Sequence, residues 1–440
     1  MTTRTHDDAI ESGERRLNRQ DAKTLALSAL GGALEFYDFV IFVFFATVVG
    51  ALFFPADMPD WLRLVQTFGI FAAGYLARPL GGIVMAHFGD LLGRKRMFMF
   101  SILLMSVPTL IMGLLPTYAS IGIAAPLLLL LMRVCQGAAI GGEAPGAWVF
   151  VTEHVPSRHI GLACGTLSMG LVLGILIGSV VASLLSATFS DQQIHDWAWR
   201  LPFIFGGLLG LVTLYLRRYL HETPVFAEMQ ARKTLAAELP VKKVITEHRG
   251  AVVLSMLVTW VLTGAIVVTV LMMPTLLQSP SIGIDRATAL NANTIALVFT
   301  LIGCVVSGRM GDRFGDGPVF SLFSFGLGVS FIFFFVSVHY TTEYLVPLYA
   351  LSGFFVGIVG LVPAIAVKSF PAEVRFSGLS FSYNVAYAIF GGATPLALSL
   401  ALARWSYAPA YYVALLGVLG MLIGIYLIYS GASRGSAESR

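Results

Sequence analysis

Charge is scarce in this chain, and cysteine scarcer still. Only 12% of the 440 residues are Asp, Glu, Lys or Arg, against 57% hydrophobic ones. Soluble globular proteins carry about 25% charge, so that class is excluded. The three cysteines, Cys135, Cys164 and Cys304, all lie within apolar runs, which argues against disulfides. No Cys/His spacing suggests zinc, and no metal site is expected. The chain lacks a Walker loop and a Ser-His-Asp arrangement, so neither ATP nor any cofactor is expected to act in it, and an enzyme is a poor reading. The net charge of +4 does not mark a nucleic-acid binder, because the basic residues fall in short loops rather than on one patch. The apolar run that follows the first 23 residues is too long for a signal-peptide core, and no cleavage is expected.

What the chain has in quantity is apolar runs of about 20 residues, the length that crosses a bilayer as a helix. Twelve are read: 25–54, 64–88, 97–115, 122–151, 160–187, 198–216, 251–278, 288–307, 319–338, 344–367, 377–403 and 410–430. With the N-terminus inside, 22 of the 28 Lys and Arg fall on the cytoplasmic side. The positive-inside rule therefore places both termini in the cytoplasm. The expected organisation is a tail (1–23), a six-helix bundle (24–217), a charged linker (218–250), a second six-helix bundle (251–430) and a short tail (431–440). Part of the linker, near Val225 to Leu239, reads either as an amphipathic helix on the inner leaflet or as a solvated connection.

The two halves repeat each other. Gly89-Asp90-Leu91-Leu92-Gly93-Arg94-Lys95-Arg96 in the first is echoed by Gly311-Asp312-Arg313-Phe314-Gly315 in the second. Pro156-Ser157-Arg158 before Gly161 is echoed by Pro371 to Arg375 before Gly378. Internal repeats with a site at their interface are the architecture of secondary transporters. The fold expected is all-α and integral to the membrane: twelve helices in two pseudo-symmetric bundles.

Five ionisable residues fall inside spans: Glu35, Asp38, Arg78, Arg133 and Glu143. Each costs roughly 3 kcal/mol near a helix centre unless it pairs or meets water. Glu35 and Asp38 are three apart and share a helix face. Arg133, Gln136, Ile140 and Glu143 form one stripe of the fourth span. A cluster at the bilayer midplane is expected, with three acids against two arginines. Glu35, Asp38 and Glu143 are the candidates for carrying a coupled proton; fixed ion pairs holding helices together are the alternative. The second half offers uncharged hydrogen-bonding groups: Trp260, Thr263 and Thr269, then Tyr383, Asn384 and Tyr387. Gly170, Gly174 and Gly178 make a small-residue stripe for close helix contact.

The paired loops resemble the signature of the major facilitator superfamily, Gly-x-x-x-Asp-Arg-x-Gly-Arg-Arg/Lys-Arg/Lys. Asp90, Gly93, Arg94, Lys95 and Arg96 match in the first copy, where Ala86 and Leu91 depart from it. Gly308, Asp312, Arg313 and Gly315 match in the second, where Asp316 and Gly317 replace the basic tail. Arg133-Val134-Cys135-Gln136-Gly137 is similar to the family's Arg-x-x-Gln-Gly element. Further stretches resemble its metabolite:proton symporter branch: Glu35-Phe36-Tyr37-Asp38-Phe39, Arg78-Pro79-Leu80-Gly81-Gly82, Gly141-Gly142-Glu143, Trp197 to Phe203, Glu222-Thr223-Pro224 and Phe390-Gly391-Gly392. Members carry organic acids, or proline and betaine, with protons.

The resemblance implies alternating access in a bacterial inner membrane, with membrane lipid, a small-molecule substrate and a proton as the only partners of a monomer. The loop residues Asp90, Gly93 to Arg96, Asp312, Arg313 and Gly315 would then gate the cytoplasmic side. Import of a small organic acid is the first expectation, because the guanidinium of Arg133 matches a carboxylate bidentately. Tyr37, Arg78, Gln136, Trp260, Tyr383, Asn384 and Tyr387 complete the candidate substrate contacts. Symport of a zwitterion such as proline or betaine is the alternative. A proton antiporter is a third reading, disfavoured because the fifth span lacks a Gly-Pro kink.

Overall fold

The computed structural model describes Leu17 and residues 19–92, 94–141, 143–217, 241–371 and 374–438. The side chains of residues 83–99, of Glu143 and of 212–243 lie outside the described residues, as do the tails and the expected helix near Val225 to Leu239. Twelve long helical segments follow one another. They are α1 (Arg19–Phe44, continued by Ala46–Phe53), α2 (Asp60–Leu92), α3 (Arg94–Leu114), α4 (Ala124–Gly141 and Glu143–His154), α5 (Ile160–Thr188) and α6 (Arg200–Arg217). In the second half come α7 (Arg249–Leu277), α8 (Arg286–Phe314), α9 (Asp316–Val338), α10 (Leu345–Lys368), α11 (Arg375–Leu402) and α12 (Ala408–Glu438). Among the described residues eight of them are long and apolar enough to cross a membrane unaided; α1 bends by 61° at Phe45, α3 and α6 have shorter apolar stretches, and the side chains of α2 from residue 83 onward lie outside the described residues.

These helices are apolar toward the outside and selectively polar within. On α2, Leu80 is 69% exposed while Arg78, two residues earlier, is 1% exposed. Lipid can solvate leucine but not a guanidinium, so rotation about the helix axis is set by where the polar residues must go. Close approach of backbones does the rest. At Gly174 an added Cβ would lie 2.1 Å from the Ala33 carbonyl oxygen, so the glycine stripe of α5 lets α1 pack directly on it.

Three segments of the second half leave α-helical geometry, and each has a proline four residues beyond one of its members. The π-helical turn Val267–Met272 contains Val270, four before Pro274. The π turn Tyr387–Gly391 ends at Gly391, four before Pro395. The 3-10 turn Gly357–Gly360 contains Val359, four before Pro363. Proline has no N–H for the carbonyl four residues back, so the ladder loosens there. Pro79 and Pro108 of the first half sit in helices that stay α-helical.

Candidate functional site

The two halves meet along α2 with α11 and along α5 with α8. Midway along the first seam, Arg78 of α2 projects into aromatic rings from both halves. Its guanidinium carbon lies 4.1 Å from the centre of the Tyr387 ring, 5.3 Å from Tyr383 and 5.9 Å from Tyr75. Tyr383 meets Trp148 of α4 edge-on at 4.8 Å, and Tyr387 meets Tyr75 at 5.5 Å. Asn384 reaches across the seam and donates to the Gly141 carbonyl at 2.6 Å. Tyr383 and Tyr387 share a face because they are four apart on one helix, and Tyr75 and Arg78 because they are three apart.

This box is buried and incompletely satisfied. Arg78 Nε and Nη2, Trp148 Nε1 and Asn384 Oδ1 are all buried without a hydrogen-bond partner among the described residues. A buried polar atom left unpaired costs about 1–3 kcal/mol. The three N–H groups among them call for a guest with an acceptor, and the amide oxygen for a donor or a positive charge.

Behind the box, the first half holds a second guanidinium, whose Nε and Nη2 are likewise buried without a hydrogen-bond partner among the described residues. Arg133 is fully buried and stacks within 4.3, 4.9 and 5.1 Å of the ring centres of Phe39, Phe42 and Phe71. Its Nη1 donates to the Phe39 carbonyl at 2.9 Å and to Gln136 Oε1 at 2.7 Å. Gln136 Nε2 in turn donates to Thr109 Oγ1 at 2.7 Å and to the Asp38 carbonyl at 3.3 Å. Arg133 and Gln136 therefore brace α1, α3 and α4 within one bundle. No ion pair joins Arg133 to Asp38 among the described residues, contrary to the expected pairing of midplane charges. The reason is direction. The Asp38 carboxyl turns toward α6, where a Cβ at Gly206 would lie 2.4 Å from Asp38 Oδ1. Ser106 of α3 shares this pocket, as a Cβ at Gly210 would lie 1.8 Å from its Oγ and 3.2 Å from Asp38 Oδ2. Asp38 is 2% exposed and its Oδ1 has no hydrogen-bond partner among the described residues.

Two other candidates are also placed away from the box. Tyr37 turns to α6, donating to the Pro202 carbonyl at 2.9 Å, so its hydroxyl serves packing within the first bundle. Trp260 stacks on Phe390 at 4.3 Å and donates to the Tyr412 hydroxyl at 2.8 Å, within the second. Glu35 is half-buried, one turn before Asp38 on α1. The side chains of Glu143, Asp90, Arg94, Lys95 and Arg96, and Gly93 itself, lie outside the described residues.

The α5–α8 seam is latched at both ends. At the end where the basic loops cluster, the Asp312 carboxylate accepts from the backbone N–H groups of Gly161 and Leu162 at 2.7 and 2.8 Å, capping the first turn of α5 from the other half. A Cβ at Gly308 would lie 2.2 Å from the Gly161 carbonyl oxygen, so only glycine allows this approach. Arg313 and Gly315 take no part in that cap; Arg313 lies against Phe314, and Gly315 turns the chain with φ 90°. At the opposite end Arg286 donates to Ser186 Oγ at 3.0 Å and to the Phe44 carbonyl at 3.4 Å, over the Phe45 ring. Ser183 bonds Asn291, and Ser179 meets Thr294 at 2.8 Å.

Tyr75, Trp148, Ser106 and Thr109 escaped the sequence reading. Tyr75 carried a signal, its three-residue offset from Arg78; the other three look like ordinary membrane-helix residues until packing brings them inward.

A family model described as Major Facilitator Superfamily matches residues 39–395. The chain is 30% identical over 434 residues to a putative proline/betaine transporter of Staphylococcus aureus (strain COL), covering 97% of this chain and 93% of that one. It is 32% identical to the glycine betaine/proline/ectoine/pipecolic acid transporter OusA of Dickeya dadantii (strain 3937), over 92% of this chain and 83% of the relative. The inner membrane metabolite transport protein YhjE of Escherichia coli (strain K12) is 35% identical over 85% of this chain and 86% of its own. Among solved structures, the partially occluded inward-open xylose transporter XylE from E. coli superposes with a TM-score of 0.71 at 15% identity, over 94% of this chain and 98% of that one. At that identity the likeness concerns the fold alone.

Proposed function

The chain belongs to the major facilitator superfamily, in its metabolite:proton symporter type, and on that premise we propose that it imports a compact zwitterion, of the kind proline and glycine betaine represent, together with protons. It is a multi-pass secondary transporter of small molecules and not an enzyme. We place it in the bacterial inner membrane with its basic loops and both termini in the cytoplasm, following the distribution of Lys and Arg.

The observation that carries the reading is a guanidinium with unpartnered donors set among aromatic faces from both halves. A substrate carboxylate would take Arg78 Nε and Nη2 as a fork. Drawing Arg78 toward it frees the face of Tyr387, which a substrate ammonium can then occupy. Such cation–π contacts contribute about 0.5–2 kcal/mol, more when desolvated. A zwitterion exchanges the internal Arg–Tyr contact for two external ones, whereas an organic acid uses only the guanidinium. The relatives named for proline and betaine support the same choice over the organic acid first expected from the sequence.

Proton coupling falls to Asp38, with Glu35 and Glu143 as further candidates. Asp38 does not face the box, but α1 connects them: the Phe39 ring packs on Tyr75 at 5.1 Å while its carbonyl is held by Arg133. A change of charge at Asp38 that shifts α1 would therefore move Tyr75 and the box wall. Uptake into proteoliposomes with an inward proton gradient tests the reading. Labelled proline or glycine betaine should accumulate and collapse with a protonophore, while citrate and shikimate should not. Accumulation of the acids in place of the zwitterions would overturn it.

A further inference from the structure

Asn384 is the member of the box whose amide oxygen is still without a task. Its Nδ2 is spent across the seam on the Gly141 carbonyl at 2.6 Å. A carbonyl can accept only from the NH2 end, so that bond fixes which way the amide points and leaves Oδ1 as its free end. Oδ1 is buried and has no hydrogen-bond partner among the described residues. The amide is also wedged. A Cβ at Gly82 of α2 would lie 3.3 Å from Nδ2, and one at Gly141 of α4 would lie 2.0 Å from the Arg78 carbonyl oxygen. Glycines therefore let α2 and α4 close up where Asn384 enters, one helical turn from Arg78. We propose that Asn384 Oδ1 accepts an N–H from the substrate, so that this transporter favours zwitterions whose cationic nitrogen carries hydrogen over those whose nitrogen is fully alkylated. The ranking rests on the zwitterion reading and divides that class in two, with proline on one side and glycine betaine on the other.

The charged and aromatic groups of the box do not rank these ligands. Arg78 and Trp148 offer N–H donors, which suit the carboxylate that every such zwitterion carries. The rings of Tyr75, Tyr383 and Tyr387 attract a cation by its charge, whether or not it has an N–H. Sensing the hydrogens takes an acceptor. An ammonium that bears N–H gives Oδ1 a charge-assisted bond, one of the stronger kinds. A fully alkylated nitrogen sets methyl groups against it, and the buried oxygen stays without a hydrogen bond. A site built to bond an N–H rejects the analogue lacking it more sharply than an apolar pocket rejects an added methyl group.

The test is calorimetry on the purified full-length protein with proline, N-methylproline and N,N-dimethylproline, which share ring, carboxylate and charge and differ in the N–H groups left. Proline should bind about tenfold or more tightly than N,N-dimethylproline, a factor that a charge-assisted bond of about 1.4 kcal/mol supplies. N-methylproline, which keeps an N–H, should stay near proline. Asn384→Leu removes the acceptor at similar volume. It loses the Gly141 bond for all three ligands alike, so the ratio between them isolates Oδ1. That ratio should fall to about threefold or less. A ratio that Asn384→Leu leaves unchanged, or no preference in the unaltered protein, overturns the proposal. So does loss of detectable binding to all three, which would make Asn384 a brace of the seam. If the unaltered protein binds glycine betaine and none of the series, the ranking falls alone; if it binds neither, the zwitterion reading falls with it. Should Asn384→Leu prove unfolded by circular dichroism, Asn384→Ala decides in its place, with the same outcomes.

Discussion

In the first half the buried interior carries charge: Asp38, Arg78 and Arg133 are each at most 2% exposed. In the second half the buried polar side chains among the described residues are all neutral, such as Thr259, Thr263, Asn293, Ser382 and Asn384. The charged half stays α-helical at Pro79 and Pro108 but opens into a π turn at Ile194–Ala198, four before Pro202, and the neutral half departs likewise in α7, α10 and α11. The contrast has a physical basis. A buried charge needs fixed partners, as Arg133 has in Phe39, Gln136 and the surrounding rings, and fixed partners stiffen a bundle. Hydroxyls satisfy themselves on their own helix, as Thr263 does on the Thr259 carbonyl and Ser382 on that of Gly378, and tolerate bending.

The largest effect expected from breaking this contrast is at Asp38. Asp38→Asn removes the titratable group while keeping its shape, and should abolish accumulation driven by a pH gradient. Substrate exchange without a gradient should survive. Full accumulation by the variant would remove Asp38 from the coupling.

Arg78→Lys comes next. It keeps the charge and loses the planar fork, so calorimetry should show affinity weakened more than tenfold, about 1.4 kcal/mol or more. Unchanged affinity with Arg78→Lys would make the box structural.

Arg133 and Gln136 sharpen the distinction between bracing and binding. Gln136→Leu strips Arg133 and Thr109 of a partner and should cost about 1–3 kcal/mol of stability in thermal unfolding. Substrate affinity should move by less than about threefold, which is roughly 0.6 kcal/mol. A tenfold loss of affinity at full stability would restore Arg133 as a substrate ligand, the role first expected of it.

A smaller change is expected at the latch between the halves. Asp312→Asn keeps an acceptor for only one of the Gly161 and Leu162 N–H groups, sets an NH2 against the other and removes the charge at the helix start, a loss of about 1 kcal/mol. Cysteines introduced along α5 near Gly161 should become more accessible to a membrane-impermeant reagent. Equal labelling with and without the substitution would show that Asp312 does not hold the halves together. Smallest of all should be Pro395→Ala, which returns a donor for the Gly391 carbonyl and should change the transport rate by about twofold or less, a barrier change of about 0.4 kcal/mol. A tenfold slowing would show that the π turn at Tyr387 is required for the conformational cycle.

Much of the architecture was legible because lipid leaves a chain few choices. Apolar runs must become helices there, and the repeated Gly-Asp-x-x-Gly loops separate two similar sets of them. Within the site, Arg78, Tyr383, Asn384 and Tyr387 could be read in advance, since residues three or four apart share a helix face whatever surrounds them. Asp38 and Tyr37 could not, because a residue count along α1 does not say whether its polar face turns to the other half or to α6. The surroundings of Arg133 could not be read either, for a related reason: a guanidinium that fits a carboxylate fits a backbone carbonyl and three aromatic rings as well.

The sequence by itself determined the solvent of this protein, its twelve crossings, its twofold repeat and the residue types available at midplane. Those follow from local chemistry, since a peptide N–H in hydrocarbon must find its partner a few residues away. Only the tertiary structure decided which guanidinium meets both halves. Arg78 and Arg133 are alike in charge and depth, and they differ only in the direction each helix faces after Gly81 packs on Ala138 and Gly137 on Gly74, with an added Cβ 2.0 and 1.8 Å from the facing carbonyl oxygens. That rotation comes from contacts between segments about 60 residues apart, which no local pattern encodes.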